Sequence, residues 1–402
     1  MKVFKIKGAT ALLYSIFSLS VFLTSCQLQE ETEQPEPIEQ PGIEPQPENP
    51  SECITKASSD NGTIIPGQYV VKYKSENEGF SVSSSEDPIA VLRKHNVPEH
   101  AMKKIYEGQL KIVAARLNNS QVENLRREPS IEAIEPDRIV SIVSCYTEIN
   151  EQSVPWGVTR VGYGDASAKT AWIIDTGIDL DHPDLNVDIN RSKSFIEGST
   201  PNDEHGHGTH VAGTIGARNN YKGVVGVASN AKVVALKVMD GGGKGSMSNV
   251  IAAVNHVALY GKAGDVVNMS IGGESSKILD QAVTSAANKG ILFSVAAGNY
   301  STTAIGSSPA RVNHPNVFTI SAMDDQDTWA SFSNYGNDCV DFCAPGVNIN
   351  STHKDGGYAN MSGTSMATPH VAGLLLLKGK NILTSGFVKN DPDGTPDPIA
   401  HK

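Results

Sequence analysis

Between residues 171 and 321, five short apolar runs alternate with helical stretches such as 250–260 and 279–288. The runs occupy 171–174, 233–238, 266–269, 291–296 and 317–321. Strands with so few polar positions must be covered on both faces, so the pattern predicts an α/β fold: a parallel sheet with helices on either side. The region exceeds about 220 residues, ample for one large core.

Three glycine-rich segments punctuate this pattern: W-I-I-D-T-G-I-D from Trp172, H-G-H-G-T-H-V-A-G-T from His205, and S-G-T-S-M-A-T-P-H-V-A-G from Ser362. Asp175 follows the run 171–174, which places it at a strand's carboxyl end, where open parallel sheets bind ligands. A serine hydroxyl is a weak nucleophile until a base takes its proton, and that base needs a partner to fix its tautomer. Asp175, His207 and Ser365 read as orienting acid, general base and nucleophile. His205, His207 and His210 could alternatively be a metal cluster, but zinc proteases carry an i, i+4 histidine pair with a glutamate, and here the pair is i, i+3. Pro369 fits only near a helix's first turn, so that helix should start close to Ser365 and aim its N-terminus at a developing oxyanion. Asn299, ending V-A-A-G-N after an apolar run, offers a side-chain amide to the same oxyanion; alone it would read as a turn residue.

Together these motifs resemble the subtilisin-type serine proteases over residues 151–377, with wording closest to the subtilisin and proteinase K branches. The resemblance implies a subtilisin-like three-layer fold, its parallel sheet flanked by helices, and a serine endopeptidase acting through an acyl-enzyme. It also implies a groove in which an extended peptide adds a strand to each of two segments. These are Gly243, Lys244 and Gly245 on one side and Ser270, Ile271, Gly272 and Gly273 on the other. The specificity pocket would be walled by the latter four with Ala297, Gly298, Ser307 and Ser308. None of these carries a charge, so broad specificity with an apolar side chain before the cut is expected. A structural Ca²⁺ site is implied, with Gln152, Asp184 and Asn220 as side-chain ligands and the carbonyls of Arg218, Lys222 and Val224. No cofactor is expected for catalysis. An esterase would use the same triad but usually carries a G-x-S-x-G elbow, and a binding protein built on a dead protease would lack a catalytic group, yet none is missing.

The chain begins with Lys2, Lys5 and Lys7, then an apolar stretch ending L-T-S-C. Residues 1–25 read as an export signal, and the ending resembles the lipobox of bacterial lipoproteins, with Cys26 lipidated. Residues 26–65 form a tether: between 27 and 52 stand eight glutamates and six prolines without Lys or Arg, too polar to bury a core. Of the net charge of −11, only −6 belongs to residues 53–402, and nothing suggests nucleic-acid binding.

Residues 66–143 read as a small α+β unit. It has a strand at 68–74, a helical stretch near 87–95, and further segments at 105–117, 120–128 and 131–140. Through I-P-G-Q-Y-V-V-K-Y-K and I-E-A-I-E-P-D it resembles the inhibitor-like propeptide of subtilisins. The expected partners are thus protein or peptide substrates, the chain's own propeptide as an inhibitor, and a membrane reached through the lipid anchor. A processing junction is placed at 144–152, a catalytic domain at 153–402, and the protein is expected to act as a monomer. Cutting the junction would free the catalytic domain from its anchor unless the halves stay associated. Cys53 with Cys145, and Cys339 with Cys343, could pair or remain thiols. Only a short, turn-rich end follows residue 379, which leaves the packing of the carboxyl-terminal layer open.

Overall fold

The apolar runs form the strands Thr170–Asp175, Lys232–Lys237, Val266–Met269, Leu292–Ala296 and Val317–Met323. With Phe342–Pro345 they lie parallel, in the spatial order 232–237, 170–175, 266–269, 292–296, 317–323, 342–345. Alternate residues serve opposite layers. Trp172, Ile174, Val234, Leu236, Phe293 and Val295 pack with the helices Met247–Tyr260 and Lys277–Ala287. Ala171, Ile173, Val233, Ala235 and Leu292 pack with the helices His207–Gly216 and Thr364–Lys378. Both faces of the sheet are therefore buried, which is why these strands read as unbroken apolar runs.

The computed structural model describes residues 60–74, 87–106, 111–142, 146–148 and 153–402. The export signal, Cys26, Cys53, Cys145, Gln152 and residues 143–145 lie outside them.

The short carboxyl end packs as part of the sheet. Pro398–His401 runs parallel to Phe342–Pro345 through Cys343 and Ile399, and Leu383–Phe387 pairs antiparallel with it. Ile399 and Ala400 are buried. Cys339 and Cys343 are buried, separate thiols.

Residues 60–142 form a second layer system. Strands β1 (Ile64–Tyr73), β2 (Met102–Tyr106), β3 (Ile112–Arg116) and β4 (Ile131–Ser141) make an antiparallel sheet in the order β4-β1-β3-β2. Helices α1 (Pro88–Lys94) and α2 (Asn119–Arg126) lie against one face; α2 opens with a capping box in which Asn118 and Gln121 exchange side-chain bonds to each other's backbone. Val71, Tyr73, Val113 and Ala115 pack under these helices with Leu92 and Leu125. The opposite face, with Val70, Ile112, Ala114 and Val140, packs on the helices Met247–Tyr260 and Lys277–Ala287. Two carboxylates from β4 meet the amino ends of those helices. Glu135 accepts from Ser276 Oγ (2.5 Å) and Lys277 N (3.0 Å), and Asp137 from Ser248 N (3.0 Å) and Ser248 Oγ (2.6 Å). Both sit where a helix dipole favours negative charge.

Burial, then the carboxylates of Asp391, Asp393 and Asp341, push the Asp397 carboxyl up to about 7, although Ser321 Oγ donates to it. A folded pKa above the unfolded one means the folded state holds this proton more tightly. The stability so contributed is full below about pH 4 and is lost as pH rises through about 7. Asp397→Asn should therefore melt higher than the parent at pH 8 and show a smaller drop between pH 5 and 8 in thermal scans.

Candidate active site

Asp175 ends its strand with the carboxylate completely buried. One oxygen, Oδ1, accepts from Thr176 N (2.7 Å) and lies 2.7 Å from His207 Nδ1, whose ring is also fully buried. A carboxylate can only accept, so Nδ1 carries the proton and Nε2 keeps its lone pair, the tautomer a general base needs. The close approach requires Gly208, because a Cβ there would stand 2.1 Å from Gly177 O. Gly208 N donates to Thr176 Oγ1 (2.9 Å), tying the helix start to the Asp175 loop.

Two buried charges absent from the sequence reading hold this corner. Asp203 accepts from His205 N, Gly206 N, Thr209 N and Thr209 Oγ1 at 2.6–2.9 Å, capping the turn that presents His207. Burial pushes its carboxyl up, but those bonds outweigh it and hold it below its ordinary value. Lys237, opposite Asp175 on the adjacent strand, donates through Nζ to Thr176 O (2.8 Å) and Asn202 O (3.0 Å). Neither residue sits in a reactive-group motif. The D-E-H-G spacing before the helix was the available signal for Asp203.

Ser365 is the second residue of Thr364–Lys378, and Pro369 is the sixth, one turn deeper than expected. A proline there cannot donate to the carbonyl four residues back, which is that of Ser365. Ser270 compensates: its Oγ donates to Ser365 O (2.7 Å), and Ser365 Oγ donates in return to Ser270 O (3.0 Å). Asn268 Nδ2 steadies Ser270 Oγ at 2.8 Å. In this arrangement the Ser365 hydroxyl is turned away from His207, whose Nε2 has no hydrogen-bond partner among the described residues. Catalytic bonds of this kind often close only around substrate. Asn299 Oδ1 accepts from Thr364 N (2.8 Å) and Thr364 Oγ1 (2.7 Å), which turns its Nδ2 edge away from the helix start, toward the pocket it shares with Ser365.

That pocket encloses about 430 Å³ including its open mouth. Ser270, Ile271, Gly272, Gly273, Ala297, Gly298 and Ser307 all line it, and no lining residue is charged. Ser308 is buried behind it, opposite Gly273 in a short antiparallel pair. Strand β4 enters the same groove: Ser141, Val140 and Ile139 pair antiparallel with Lys244, Gly245 and Ser246, and Ile142 N donates to Gly243 O (3.2 Å). Ser141 and Ile142 line the pocket, and Val140 lines a smaller hollow with Met247, Val250, Ile271 and Leu279. The expected second pairing is not made by β4: among the described residues no backbone hydrogen bond joins it to residues 270–273.

The three histidines diverge. His210 Nε2 lies within hydrogen-bond reach of Ile349 O and Ala359 O, and burial lowers its pKa to about 3. His205 stands edge-on to His207, ring centroids 6.3 Å apart.

On the far side, Asp184 Oδ2 accepts from Val224 N (2.9 Å), while the buried Oδ1 has no partner among the described residues. Burial pushes this carboxyl up to about 6 despite hydrogen bonds from Val224, Asn220 and Tyr358. The loop of Arg218, Asn220, Lys222 and Val224 folds against it, Arg218 N donating to Asp184 O (2.9 Å). Ser153 bridges to Val224 of this loop.

A carboxylate-oriented imidazole, a serine at a buried helix start and an amide over one uncharged pocket are the set a serine hydrolase requires. Comparison with known proteins narrows this class. Residues 172–384 match the subtilase family, and residues 68–143 match peptidase inhibitor I9. The alkaline serine protease ver112 of Corniculantispora psalliotae is 38% identical over 327 residues, covering 77% of this chain and 79% of its own. An alkaline protease of Alkalihalobacillus alcalophilus is 40% identical over 308 residues, covering 74% and 76%. A crystal structure of a cold-adapted subtilisin-like serine proteinase superposes with a TM-score of 0.54 at 37% identity, covering 62% of this chain and 98% of that one. The chain belongs to the subtilase family: it is a subtilisin-like serine endopeptidase with an I9-type propeptide.

Replacing Asn299 by Ala should lower kcat on a peptide substrate by roughly 10²–10³-fold with KM little changed, the scale known for such a donor in a subtilisin. Steady-state kinetics of the variant check it.

Proposed function

We propose that the chain is made as an exported, lipid-anchored zymogen that cuts itself at the edge of its propeptide and then hydrolyses proteins with broad specificity and an apolar preference before the cut. Ser365 is the nucleophile, His207 its base, Asp175 the orienting acid and Asn299 the oxyanion donor. As substrate enters, Ser365 Oγ leaves Ser270 O and turns to His207 Nε2, which takes its proton during attack on the carbonyl. The resulting imidazolium is stabilised by Asp175 and then protonates the leaving amine. Water activated by His207 hydrolyses the acyl-enzyme.

The observation that carries the self-processing part is the seating of β4. Its register along residues 243–246 brings Ile142 to the pocket that Ser365 lines, which supports a cut close after Ile142. Within the junction expected between 143 and 152, we infer a cut after Val143, a small apolar side chain suited to an uncharged pocket. Following the mass of the chain beside its Ser365→Ala variant tests this: only the parent should split, between residues 143 and 144. Two intact chains, with no reaction toward a fluorophosphonate, would sink the proposal. The signal and lipobox motif support the anchor at Cys26, and metabolic labelling with a fatty acid, lost in Cys26→Ser, reports on it.

Calcium at Asp184 belongs to the same reading. An orphaned, buried carboxylate oxygen with a raised pKa, next to the Asn220 side chain and a loop of carbonyls, fits a hard cation that needs oxygen ligands. Gln152, Asp184, Asn220 and the carbonyls of Arg218, Lys222 and Val224 would hold it, stabilising the folded form by linkage. Chelation should lower the melting temperature of the parent and leave that of Asp184→Asn nearly unmoved. A parent indifferent to chelator would remove the calcium.

A further inference from the structure

The carboxyl end of the propeptide does not lie alone in the groove: the turn just before β1 crosses over it. Asp60 Oδ2 accepts from Lys244 Nζ (2.6 Å) on one rim. Asn61 Oδ1 takes the backbone N–H of Ser141 (2.9 Å), and Asn61 Nδ2 donates to the Tyr300 hydroxyl (2.6 Å) on the pocket wall. Gly62 N donates to Ile139 O (2.8 Å), and Gly62 O accepts from Arg138 Nη1 (2.6 Å). Gly62 also lies against Glu274 on the second rim: its φ is +79°, and a Cβ would stand 2.8 Å from Glu274 Cγ. Three successive residues therefore touch one rim, the seated strand and the other rim.

The Ser141 contact explains the missing half of the strand pairing. One edge of β4 is taken by Lys244–Ser246. At the other edge the Ser141 N–H finds the Asn61 amide in place of a carbonyl from residues 270–273. The Asn61 amide thus works at both ends, accepting on one side and donating on the other.

We propose that Lys244 and Tyr300 form a second propeptide-binding site, specific for an acidic residue followed by an amide residue, which keeps the cleaved propeptide seated. This rests on the self-processing reading above. Turn and strand belong to one small domain, so once either is docked the other binds as an intramolecular partner at high effective concentration. The residues that hold the turn lie on the groove itself, so the same contact blocks substrate. Asp60, Asn61 and Gly62 precede β1, which makes this turn the first described part of the propeptide that a pull from its amino side would strain.

Asn61→Ala, Asp60→Asn and the double variant, each in the full chain, test the proposal. Cleavage is followed by mass and activity by a fluorogenic peptide. Cleavage should keep its parental rate, while the lag between cleavage and activity shortens. The lag should fall about five- to tenfold in Asn61→Ala, which loses two hydrogen bonds, and about twofold in Asp60→Asn, whose partner charge is largely exposed. The Asp60 effect should vanish near about 1 M salt and the Asn61 effect should persist. The mature enzyme is identical in every chain, so equal final kcat/KM shows that each folded. Lags equal to the parent's in all variants overturn the proposal, as does slowed cleavage with an unchanged lag. A parent that never cleaves sinks the self-processing reading and this site with it; a parent that cleaves while all lags coincide sinks this site alone.

Discussion

Asp175 and His207 meet at 2.7 Å with neither side chain exposed, and most of the surrounding architecture answers the cost of putting them there. A buried carboxylate loses several kcal/mol of hydration unless its partners are complete. Oδ1 takes Thr176 N and His207 Nδ1, while Oδ2 has no partner among the described residues, and further groups hold the segments around the pair. The strand end supplies Thr176 N, and the glycine at position 208 lets the histidine helix approach to backbone contact. Asp203 gathers the donors of the turn before that helix, and Lys237 clamps the carbonyls of Thr176 and Asn202 that flank it. These polar groups border cores made of aliphatic, aromatic and methionine side chains. Such a network rigidifies a site only when nearly all its members are satisfied.

The nucleophile is set by a different compromise. Pro369 removes one rung of the helix that carries Ser365, and the freed carbonyl is taken by Ser270, a residue of the pocket wall. Helix start and pocket wall are thus tied by hydrogen bonds in both directions. A substrate that lies along the wall pushes on the same pair of serines that holds the nucleophile. Movement of the Ser365 hydroxyl toward His207 breaks only its own bond to Ser270 O, because the return bond from Ser270 Oγ does not involve that hydroxyl.

The centre of the sheet was legible in the sequence because these five strands are largely buried on both faces: the run at 266–269 matches its strand, and the others differ by one or two residues at one or both ends. The site was legible because its reactive side chains sit inside long local motifs. Lys237 and the two carboxylates of E-P-D were not, since each acts through partners distant in sequence or on another layer, such as Asp137 with Ser248; Asp203 was missed although its partners are local, because it carries no reactive group of its own. The packing of the carboxyl end stayed open because a strand of four residues carries almost no periodic signal; its place comes from two neighbours, Phe342–Pro345 and Leu383–Phe387. The depth of Pro369 was misjudged for a related reason: propensity prices the lost hydrogen bond, but not a side chain on another segment that replaces it.

The propeptide's grip on the catalytic domain is built from contacts the enzyme can do without. Glu135 and Asp137 reach helix starts that already carry their own caps, Ser276 Oγ for Leu279 N (3.2 Å) and Ser246 Oγ for Asn249 N (3.3 Å). Removing β4 therefore leaves both helices with their serine caps, and what goes at each start is the bonds to the carboxylate together with its charge near the dipole, the charge worth about 0.3–1 kcal/mol when exposed. The apolar face of Val70, Ile112, Ala114 and Val140 is the larger loss, and it falls on the outer side of two helices whose inner sides remain packed on the sheet. A scaffold that offers extra caps and extra apolar cover to surface helices can stabilise them while the rest of the sheet assembles. It can then leave behind a core whose persistence depends on the height of its unfolding barrier.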